Sequence, residues 1–311
     1  MVSYTLRQVE YFVAVADAGS ISAAAERLHV STAALSQALG ELERIVDAQL
    51  LVRRRSKGVA LTASGSAFLV DARALVRHAA DIQDRATERQ TEVAGPLSLG
   101  CYTSLAPFWI PAISADFIRA HPRLEMTVEE GDAGELQQRM LEGRLDAVLT
   151  HTRHVLPDVD AHVVAPGRPY LLLPADHRFA DRPSVALSEM AGDDYVQLDV
   201  PSVRDNQLAN LRESGLEPRV QWRSSSFEAV RGMVGRGLGY TVLVQRPPTD
   251  MTYDGGAVVA VEIDGPIGRS DICLATTSAQ RPSLRLRALI EFCTRHGRGE
   301  ARRPGEEAAG R

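Results

Sequence analysis

Hydrophobic positions in the first 46 residues recur every three or four residues, and this spacing predicts three short helices. In the first helix, residues 6–17, the apolar face comprises Leu6, Val9, Phe12, Val13 and Ala16. In the third helix, residues 32–46, it comprises Ala34, Leu35, Leu39, Leu42, Ile45 and Val46. Between them the stretch AAAERL predicts a second helix with Ser22 as its N-cap, and Ser31 is positioned to cap the third.

A very short turn at His29-Val30 separates the second helix from the third. Two helices that cross steeply over such a turn must approach closely, and Ala23, Ala24 and Ala25 leave room for this approach. The pattern therefore favours a helix-turn-helix over the alternative, a generic three-helix bundle.

Residues 50–62, LLVRRRSKGVALT, place two apolar-rich arms around a basic tip, which predicts a β-hairpin wing. The tip carries four cations, namely Arg53, Arg54, Arg55 and Lys57. Phosphate contacts need positive charge and carry no sequence information, so this tip suits a DNA backbone. A solvated turn is the alternative interpretation.

The third helix carries small uncharged groups that suit base edges rather than phosphates. Ser36 and Gln37 can form hydrogen bonds with bases, and Thr32 or Ala33 can touch a thymine methyl group. Together with Ser31 at the helix start, they form the predicted base-reading set.

A long helix is predicted from residue 63 to residue 92. Its apolar positions are spaced alternately by four and three residues: Phe68, Ala72, Leu75, Ala79, Ile82 and Ala86. Such a heptad seam suits a partner helix, which favours self-association. The alternative is that this face packs against its own domain.

Beyond the short linker EVAGP, strands and helices alternate, which predicts an α/β fold with ligands at the carboxyl ends of parallel strands. Predicted strands cover residues 97–101, 124–129, 145–151, 170–173, 195–198, 219–222, 239–244, 258–263 and 271–276. One predicted helix follows the first strand and ends near residue 120. Four further helices are predicted at residues 134–141, 203–213, 226–234 and 284–293. Residues 298–311 have the composition of a disordered tail.

Composition narrows the functional classes. The net charge is −5, so any nucleic-acid contact must come from a local basic patch. The sequence has neither a secretory signal pattern nor a run of roughly 18 apolar residues. Three widely spaced cysteines suit a reducing compartment, so a cytoplasmic protein is expected.

Two parts of the chain carry a family resemblance. The stretch LRQVEYFVAVADAGSISAAAERLHVSTAALSQALGELE, followed by LLVRRRSKGVALTASG, resembles the winged helix-turn-helix of LysR-type transcriptional regulators. Residues 100–151, and later the stretch SSSFEAVRGMVGRGLGYTVLVQRP, resemble the two halves of that family's effector-binding domain.

The resemblance implies a winged helix-turn-helix DNA-binding domain at residues 1–62 and a linker and dimerisation helix at 63–92. An α/β effector-binding domain, similar to periplasmic binding proteins, would cover residues 93–297. Its two subdomains, joined by two crossover strands, would comprise about 94–163 with 267–297 and about 164–266.

The resemblance also implies partners. The protein would bind double-stranded promoter DNA as a homodimer or homotetramer, with RNA polymerase as a further candidate partner. A small-molecule effector of unknown identity would enter the cleft between the subdomains and change promoter binding or activation.

The recognition helix departs from the family pattern at three places. Thr32-Ala33 stand where Gln-Pro is common, Gln37 stands where Arg is frequent, and Gly40 replaces a commonly polar or basic residue. These departures bear on the operator sequence and not on the DNA-binding role.

Side chains that follow the predicted strands are candidates to contact the effector. They are Tyr102, Thr103, Ser104, His151, Asp199, Ser202, Ser225 and Phe227. Thr103 and Ser104 precede a helix, where hydroxyls and free N–H groups suit an anion, although they could instead only cap that helix. Asp199 would repel a purely anionic effector, so a polar or amphipathic small molecule is expected.

Catalysis and metal binding find little support in the sequence. His151 and His154 form an HxxH pattern in a loop without further ligands at a suitable spacing, so neither a metal nor another cofactor is expected. Without a nucleophile–base set, no enzymatic activity is expected, and an enzyme fused to a DNA-binding head is the weaker alternative. A second alternative is a regulator that responds to oxidation of Cys101.

Overall fold

The computed structural model describes residues 3–54, 58–86, 93–265, 267–278 and 282–300, with the backbone alone at 53–54, 81, 83–86, 201–206 and 299–300. The chain divides into two compact units. The first comprises the chain up to Glu92 together with Leu141–Arg144, and the second comprises Val93–Met140 and the chain from Leu145 onward.

The first unit is a helix-turn-helix followed by a hairpin and a long helix. Its elements are α1 (Leu6–Ala18), α2 (Ile21–Leu28), α3 (Thr32–Val46), β1 (Leu51–Arg54), β2 (Gly58–Leu61) and α4 (Ala63–Ala86). The Ser20 hydroxyl accepts a hydrogen bond from the Ala23 N–H, so Ser20 caps α2 and the prediction of Ser22 is wrong. Ser31 caps α3, as predicted.

Small residues let α2 and α3 pack closely. Ala24 and Ala25 are buried, whereas Ala23 is exposed. His29 ends α2 in the left-handed conformation, with φ of 55°, and the Val30 N–H donates to the Ala25 carbonyl. Only three residues, 29–31, therefore separate α2 from α3, which confirms the predicted helix-turn-helix.

The hairpin is held against the turn between α1 and α2. The Val59 N–H donates to the Gly19 carbonyl at 2.8 Å. Gly58 has φ of 77°, and a side chain at this position would overlap the same carbonyl. Glycine is therefore required at position 58, where β2 begins beside the Gly19 carbonyl.

The second unit alternates strands and helices. Its strands are β3 (Ala94–Tyr102), β4 (Arg123–Gly131), β5 (Ala147–His151), β6 (Val159–Ala165), β7 (Tyr170–Pro174), β8 (Ser184–Ala186), β9 (Asp194–Leu198), β10 (Arg219–Ser224), β11 (Thr241–Leu243), β12 (Val258–Asp264) and β13 (Ile272–Thr277). Its helices are α5 (Ala106–Ala112), α6 (Ile118–Ala120), α7 (Ala133–Leu141), α8 (Pro201–Glu213), α9 (Phe227–Gly235) and α10 (Leu284–Glu300). A π-helical turn joins α5 to α6 at Ile113–Phe117, and 3-10 turns cover Thr152–His154 and Leu187–Met190.

Two subdomains make up this unit, and their sheets are mixed. The first subdomain has a five-stranded sheet with the order β4-β3-β5-β13-β6, in which β13 is antiparallel to both neighbours and β3 is parallel to both of its own. The second has a four-stranded sheet, β11-β7-β12-β8, and a parallel pair, β9-β10. The chain crosses between the subdomains twice, from β6 to β7 and from β12 to β13, so the predicted α/β architecture is confirmed.

Two strands, β6 and β8, are absent from the sequence prediction. The sequence of β6, VDAHVVA, interrupts its apolar positions with Asp160 and His162, so its alternation is weak. It extends to Ala165, two residues beyond the boundary expected for the first subdomain at residue 163.

The last helix is longer than predicted. α10 continues past Cys293 to Glu300, and its end contradicts the start of the disordered tail predicted at residues 298–311. Residues 301–311 lie outside the described part of the chain. Among the helices that the structure describes, none combines the length and apolarity that crossing a membrane requires.

Candidate functional site

The first turns of α3 present an uncharged surface. Thr32, Ala33 and Gln37 are exposed and Ser36 is half-buried, whereas Leu35 points into the core. The predicted base-reading residues therefore lie on or beside one solvent-facing side of α3. An amide and small groups on such a side can meet base edges in a major groove.

Ser31 serves the helix as well as the surface. Its hydroxyl accepts a hydrogen bond from the Ala34 N–H at 3.1 Å, which stabilises the first turn of α3. Its side chain remains exposed, so its O–H can still donate to an outside acceptor.

The positive charge that the start of α3 lacks is predicted to come mainly from the wing. Arg53 and Arg54 lie on β1, where the backbone alone is described, and Arg55 and Lys57 lie outside the described residues. Their phosphate contacts stay a prediction. Arg44, in the last turn of α3, is 73% exposed and lies 3.8 Å from Glu41, a distance at which an exposed pair is weak.

A cavity of about 90 Å³ lies between the two subdomains of the second unit. The first subdomain lines it with Tyr102, Ser104, His151, Arg153 and His154. The second lines it with Leu198, Gln207, Asn210, Leu211, Phe227, Val242, Leu243, Val244 and Gln245, and the connections add Pro169, Ile267, Gly268 and Ser270. Since both subdomains and both connections form its wall, an occupant would be sensitive to their relative arrangement.

Two neutral histidines form one side of the cavity. His151 is buried, its Nδ1 lies 3.0 Å from the Ser270 carbonyl oxygen, and burial lowers its pKa. Because a carbonyl only accepts, Nδ1 carries the hydrogen and Nε2 of the neutral ring is an acceptor. Burial, with a smaller effect of His151, lowers the pKa of His154 to about 4.

Tyr102 packs its ring edge-to-face against both histidines, with centroid distances of 6.1 Å to His151 and 5.4 Å to His154. Its hydroxyl is buried and forms no hydrogen bond of acceptable geometry, although Ser104 is a polar neighbour. Burial raises the pKa of Tyr102, and the nearby Asp132 carboxylate adds to this effect. The hydroxyl therefore stays protonated and can donate.

Further polar atoms in the cavity wall lack partners within the described part of the protein. His154 Nδ1 and Gln207 Oε1 are buried without a hydrogen bond. The Gln207 Nε2 group donates to the Val242 carbonyl at 2.5 Å, which orients the amide. Buried polar atoms without partners cost free energy, so a shift of the subdomains that let a ligand or water reach these atoms would recover part of that cost.

A buried glutamine shapes the loop that carries the histidines. Gln137 Nε2 donates to the His154 carbonyl at 2.7 Å and to the Ala133 carbonyl at 2.9 Å, and Oε1 accepts from the Leu156 N–H at 2.9 Å. Gln137 is fully buried on α7. The 3-10 turn Thr152–His154 is thereby attached to the first subdomain.

Arg153 bridges the two subdomains at the cavity mouth. Its Nε donates to the Arg269 carbonyl at 2.9 Å, and its guanidinium also donates to the Asn210 side chain on α8. A side chain at Gly268 would overlap the guanidinium, so a larger residue there would displace Arg153 from this bridge. Arg153 was absent from the predicted site.

The structure brings together half of the predicted effector residues. Tyr102, Ser104, His151 and Phe227 line the cavity. Thr103, Asp199 and Ser225 are not in its wall, and the Ser202 side chain is not described. The Thr103 hydroxyl donates to the Gly131 carbonyl at 3.2 Å, and α5 begins after Leu105, so neither Thr103 nor Ser104 caps that helix.

Sequence reasoning missed several polar wall residues. Gln207 and Asn210 share one face of α8 with the apolar Leu211, because residues three and four positions apart lie on the same side of a helix. Most residues of α8 are polar, so the two amides did not stand out in the sequence. The sequence did not indicate that residues of the connections, such as Ser270, line the cavity. They reach the cavity only because the chain crosses between the subdomains at these positions.

All three cysteines are buried. Burial raises the pKa of Cys101, and it raises the pKa of Cys273 and of Cys293 to about 12. Reactive thiols are usually exposed and have a lowered pKa. These surroundings therefore favour structural thiols. Among the described residues, no three His, Cys, Asp or Glu side chains are grouped to hold a metal ion.

Comparisons with protein families match most of the chain. Residues 6–66 match the model described as bacterial regulatory helix-turn-helix protein, lysR family. Residues 90–298 match the LysR substrate binding domain. The two matches correspond to the helix-turn-helix with its hairpin and to the two-subdomain unit.

Individual relatives agree with these matches. The HTH-type transcriptional regulator YnfL of Escherichia coli is 34% identical over 245 residues, 76% of this chain and 81% of YnfL. The hydrogen peroxide-inducible genes activator of Dickeya chrysanthemi is 29% identical over 242 residues, 76% of this chain and 78% of that protein. The crystal structure of HinK, a LysR family transcriptional regulator from Pseudomonas aeruginosa, superposes with a TM-score of 0.63 at 32% identity, covering 95% of this chain and 99% of HinK. Because the two family models match residues 6–66 and 90–298, which together make up most of the chain, this chain belongs to the LysR family of transcriptional regulators.

Proposed function

We propose that the chain binds a specific promoter sequence as a homodimer or homotetramer. A small molecule in the cavity between the subdomains would control promoter binding or activation of transcription. Ser31, Thr32, Ala33, Ser36 and Gln37 would meet base edges. The wing cations would meet phosphates.

The uncharged surface of α3 supports separate roles for α3 and the wing: α3 would contact bases and the wing would contact phosphates. An exposed amide at Gln37 can form two hydrogen bonds with an adenine, and exposed small groups can lie against a thymine methyl. The N–H groups of the first turn of α3 can bind a phosphate. Affinity would then come mainly from the wing, and sequence preference from α3.

One observation carries the effector part of the proposal. The wall of the cavity comes from both subdomains and both connections. A molecule bound there prefers one arrangement of the subdomains over another, and this preference is the coupling free energy that regulation needs.

The DNA proposal is tested with the full chain on a set of single-base variants of the operator selected from its own promoter region. Gln37→Ala should change the ranking of these variants by about 5–150-fold at one position, corresponding to about 1–3 kcal/mol. Gln138→Ala, the same change at an exposed glutamine of α7, is the matched control and should leave the ranking intact.

Direct reading by α3 would be contradicted if Gln37→Ala weakened all operator variants equally. Arg54→Ala should do that instead, and should also reduce the dependence of affinity on salt.

A redox response is the second candidate, because one relative is named as a hydrogen peroxide-inducible genes activator. The burial and raised pKa of Cys101 count against a rapid reaction of its thiol. Promoter binding by the Cys101→Ser variant, with and without hydrogen peroxide, tests this candidate. A peroxide response that Cys101→Ser removes and Cys273→Ser keeps would replace the small-molecule proposal.

A further inference from the structure

We infer that the cavity binds a short aliphatic monocarboxylate, with its carboxylate held by Arg153 and its hydrocarbon part against the apolar wall. This inference rests on the proposed function, since it specifies the ligand class of the same cavity. The single cation, the apolar wall and the small volume each limit that class.

The guanidinium of Arg153 lies among residues that line the cavity. It donates to the Asn210 side chain, and a side chain at Gly268 would overlap it. Arg153, Asn210 and Gly268 all belong to the cavity wall. Arg153 is exposed, so a molecule that arrives from solvent can reach it. A ligand on this guanidinium therefore lies beside the bridge between the two subdomains.

The positive charge of Arg153 has no countercharge among the described residues. Its hydrogen bonds go to two neutral acceptors, the Arg269 carbonyl and the Asn210 side chain, and no described Asp or Glu forms a salt bridge with it. An arginine side chain has about five N–H donors, so most of them remain for a ligand. A carboxylate accepts such charge-assisted hydrogen bonds more strongly than a neutral oxygen does.

Other charges near the cavity leave room for one negative charge. Both histidines are neutral at pH 7, because burial lowers their pKa. The Asp132 carboxylate acts on His154 from outside the wall, and it accepts a hydrogen bond from the Gly134 N–H at 2.8 Å at the start of α7, where the helix stabilises a negative charge. Asp199, which counts against an anion in the sequence, is not in the wall. One cation without a countercharge therefore favours a monoanion.

The remaining wall and the volume define the rest of the ligand. Apolar side chains come from the second subdomain and from a connection: Leu198, Leu211, Phe227, Val242, Leu243 and Ile267. An apolar cavity of about 150 Å³ can hold benzene. At about 90 Å³, the space in this arrangement of the subdomains suits a ligand of about six non-hydrogen atoms or fewer. A carboxylate on a short hydrocarbon chain meets both limits.

Propionate and propionamide form a matched pair of probes with the same carbon skeleton and different charge. We expect propionate to raise the melting temperature of the full chain at neutral pH, whereas propionamide, and sodium chloride at the same ionic strength, should not. Calorimetric titration of propionate should show binding weakened about tenfold or more in Arg153→Gln, because the carboxylate loses its countercharge.

Controls separate the charge of Arg153 from its contribution to the fold. Arg153→Lys keeps the charge and should bind propionate more tightly than Arg153→Gln does. Arg119→Gln, the same change at an exposed arginine of α6, should leave the affinity unchanged. Gly268→Ala places a methyl group where the guanidinium lies and should also weaken binding, which keeps the test valid if Arg153→Gln fails to fold.

Three results would overturn the inference. The first is a melting temperature that propionate leaves unchanged. The second is stabilisation by propionamide or by sodium chloride that equals stabilisation by propionate. The third is an affinity for propionate in Arg153→Gln that equals that of the wild-type chain.

Operator binding by the same samples distinguishes this inference from the proposed function. A wild-type chain that fails to bind any sequence from its promoter region would contradict the proposed function, whatever the probes do. Intact operator binding by a chain that does not bind propionate would contradict the ligand class alone.

Discussion

Gly40 and Gly65 lie in helices of the same domain, but in opposite surroundings. A methyl group at Gly40 of α3 would meet no atom within 4 Å. A methyl group at Gly65 of α4 would overlap the Leu50 carbonyl oxygen. The same substitution should therefore have opposite effects at these two residues.

Gly40→Ala should stabilise the full chain by about 0.5–1 kcal/mol, because alanine loses less conformational entropy in a helix. Gly65→Ala should destabilise it by about 1–3 kcal/mol, because α4 must move away from the hairpin. Urea unfolding followed by circular dichroism measures both. Equal shifts of the two variants in the same direction would contradict this account.

His154 links stability to pH at a single residue. Its pKa of about 4 in the folded chain is below its ordinary value of 6.5, so the unfolded chain binds more protons between these values. The stability that the neutral ring contributes is fully present above pH 6.5 and is lost as the pH falls towards 4. His151 acts in the same direction.

Lowering the pH from 7 to 5 should therefore destabilise the wild-type chain by about 1–2 kcal/mol through His154. His154→Gln should remove this part of the pH dependence, as measured by urea unfolding at both pH values. His78→Gln, at an exposed position of α4, serves as the control. An unchanged difference between pH 7 and pH 5 in His154→Gln would show that this ring is not kept neutral in the fold.

At the level of elements, the 3-10 turn that carries Arg153 and His154 depends on a side chain of α7. Gln137 supplies both a donor and an acceptor to the backbone of this loop. The adjacent Gln138 is exposed. The pair offers the same chemical change with and without the loop contacts.

Gln137→Leu should destabilise the second unit by about 1–3 kcal/mol, because backbone groups of His154 and Leu156 lose their partners. Gln138→Leu should stay within about 0.5 kcal/mol of the wild type. Hydrogen exchange should show faster exchange at residues 152–156 in Gln137→Leu only. Unchanged protection of this loop would mean that other contacts hold it.

At the scale of the whole molecule, the predicted dimer seam on α4 has two parts with different surroundings. Phe68 packs against Tyr4 and Phe12, and Ala72 is buried in the same core, so the first part of the seam serves its own domain. Leu75 and Ile82 are 40% and 52% exposed. The second part of the seam therefore has the apolar exposure expected of a helix that pairs with a second copy.

Ile82→Glu should convert the proposed dimer to a monomer and weaken operator binding, because a charge within a helix seam is poorly solvated in the pair. Light scattering during size-exclusion chromatography measures the mass of the full chain. Ala67→Glu, at an exposed position of α4 outside the seam, should leave the mass unchanged. A dimer that persists in Ile82→Glu would place self-association elsewhere.

Short-range sequence patterns were sufficient to predict most helices and strands. The apolar spacing of α1 and α3, the cap of α3, the hairpin at β1-β2 and the strand–helix alternation are short-range patterns that a sequence carries by itself. They failed where the pattern is interrupted, as in β6, and at the N-cap of α2, where Ser20 and Ser22 are both chemically suitable. α10 was predicted too short because its final turns are mostly polar or small.

The sequence alone determined the class of protein, because the helix-turn-helix depends on residues close together in the chain: Ala24 and Ala25 at the crossing, His29 in the turn and Ser31 at the cap. Only the tertiary structure decided the composition of the cavity. Gln207 on α8, Arg153 and His154 after β5, and Ser270 after β12 are far apart in sequence, and two crossings of the chain between subdomains bring them together. The physical reason is that a ligand-binding cavity is a property of distances between distant segments, whereas a helix and its cap are a property of neighbouring residues.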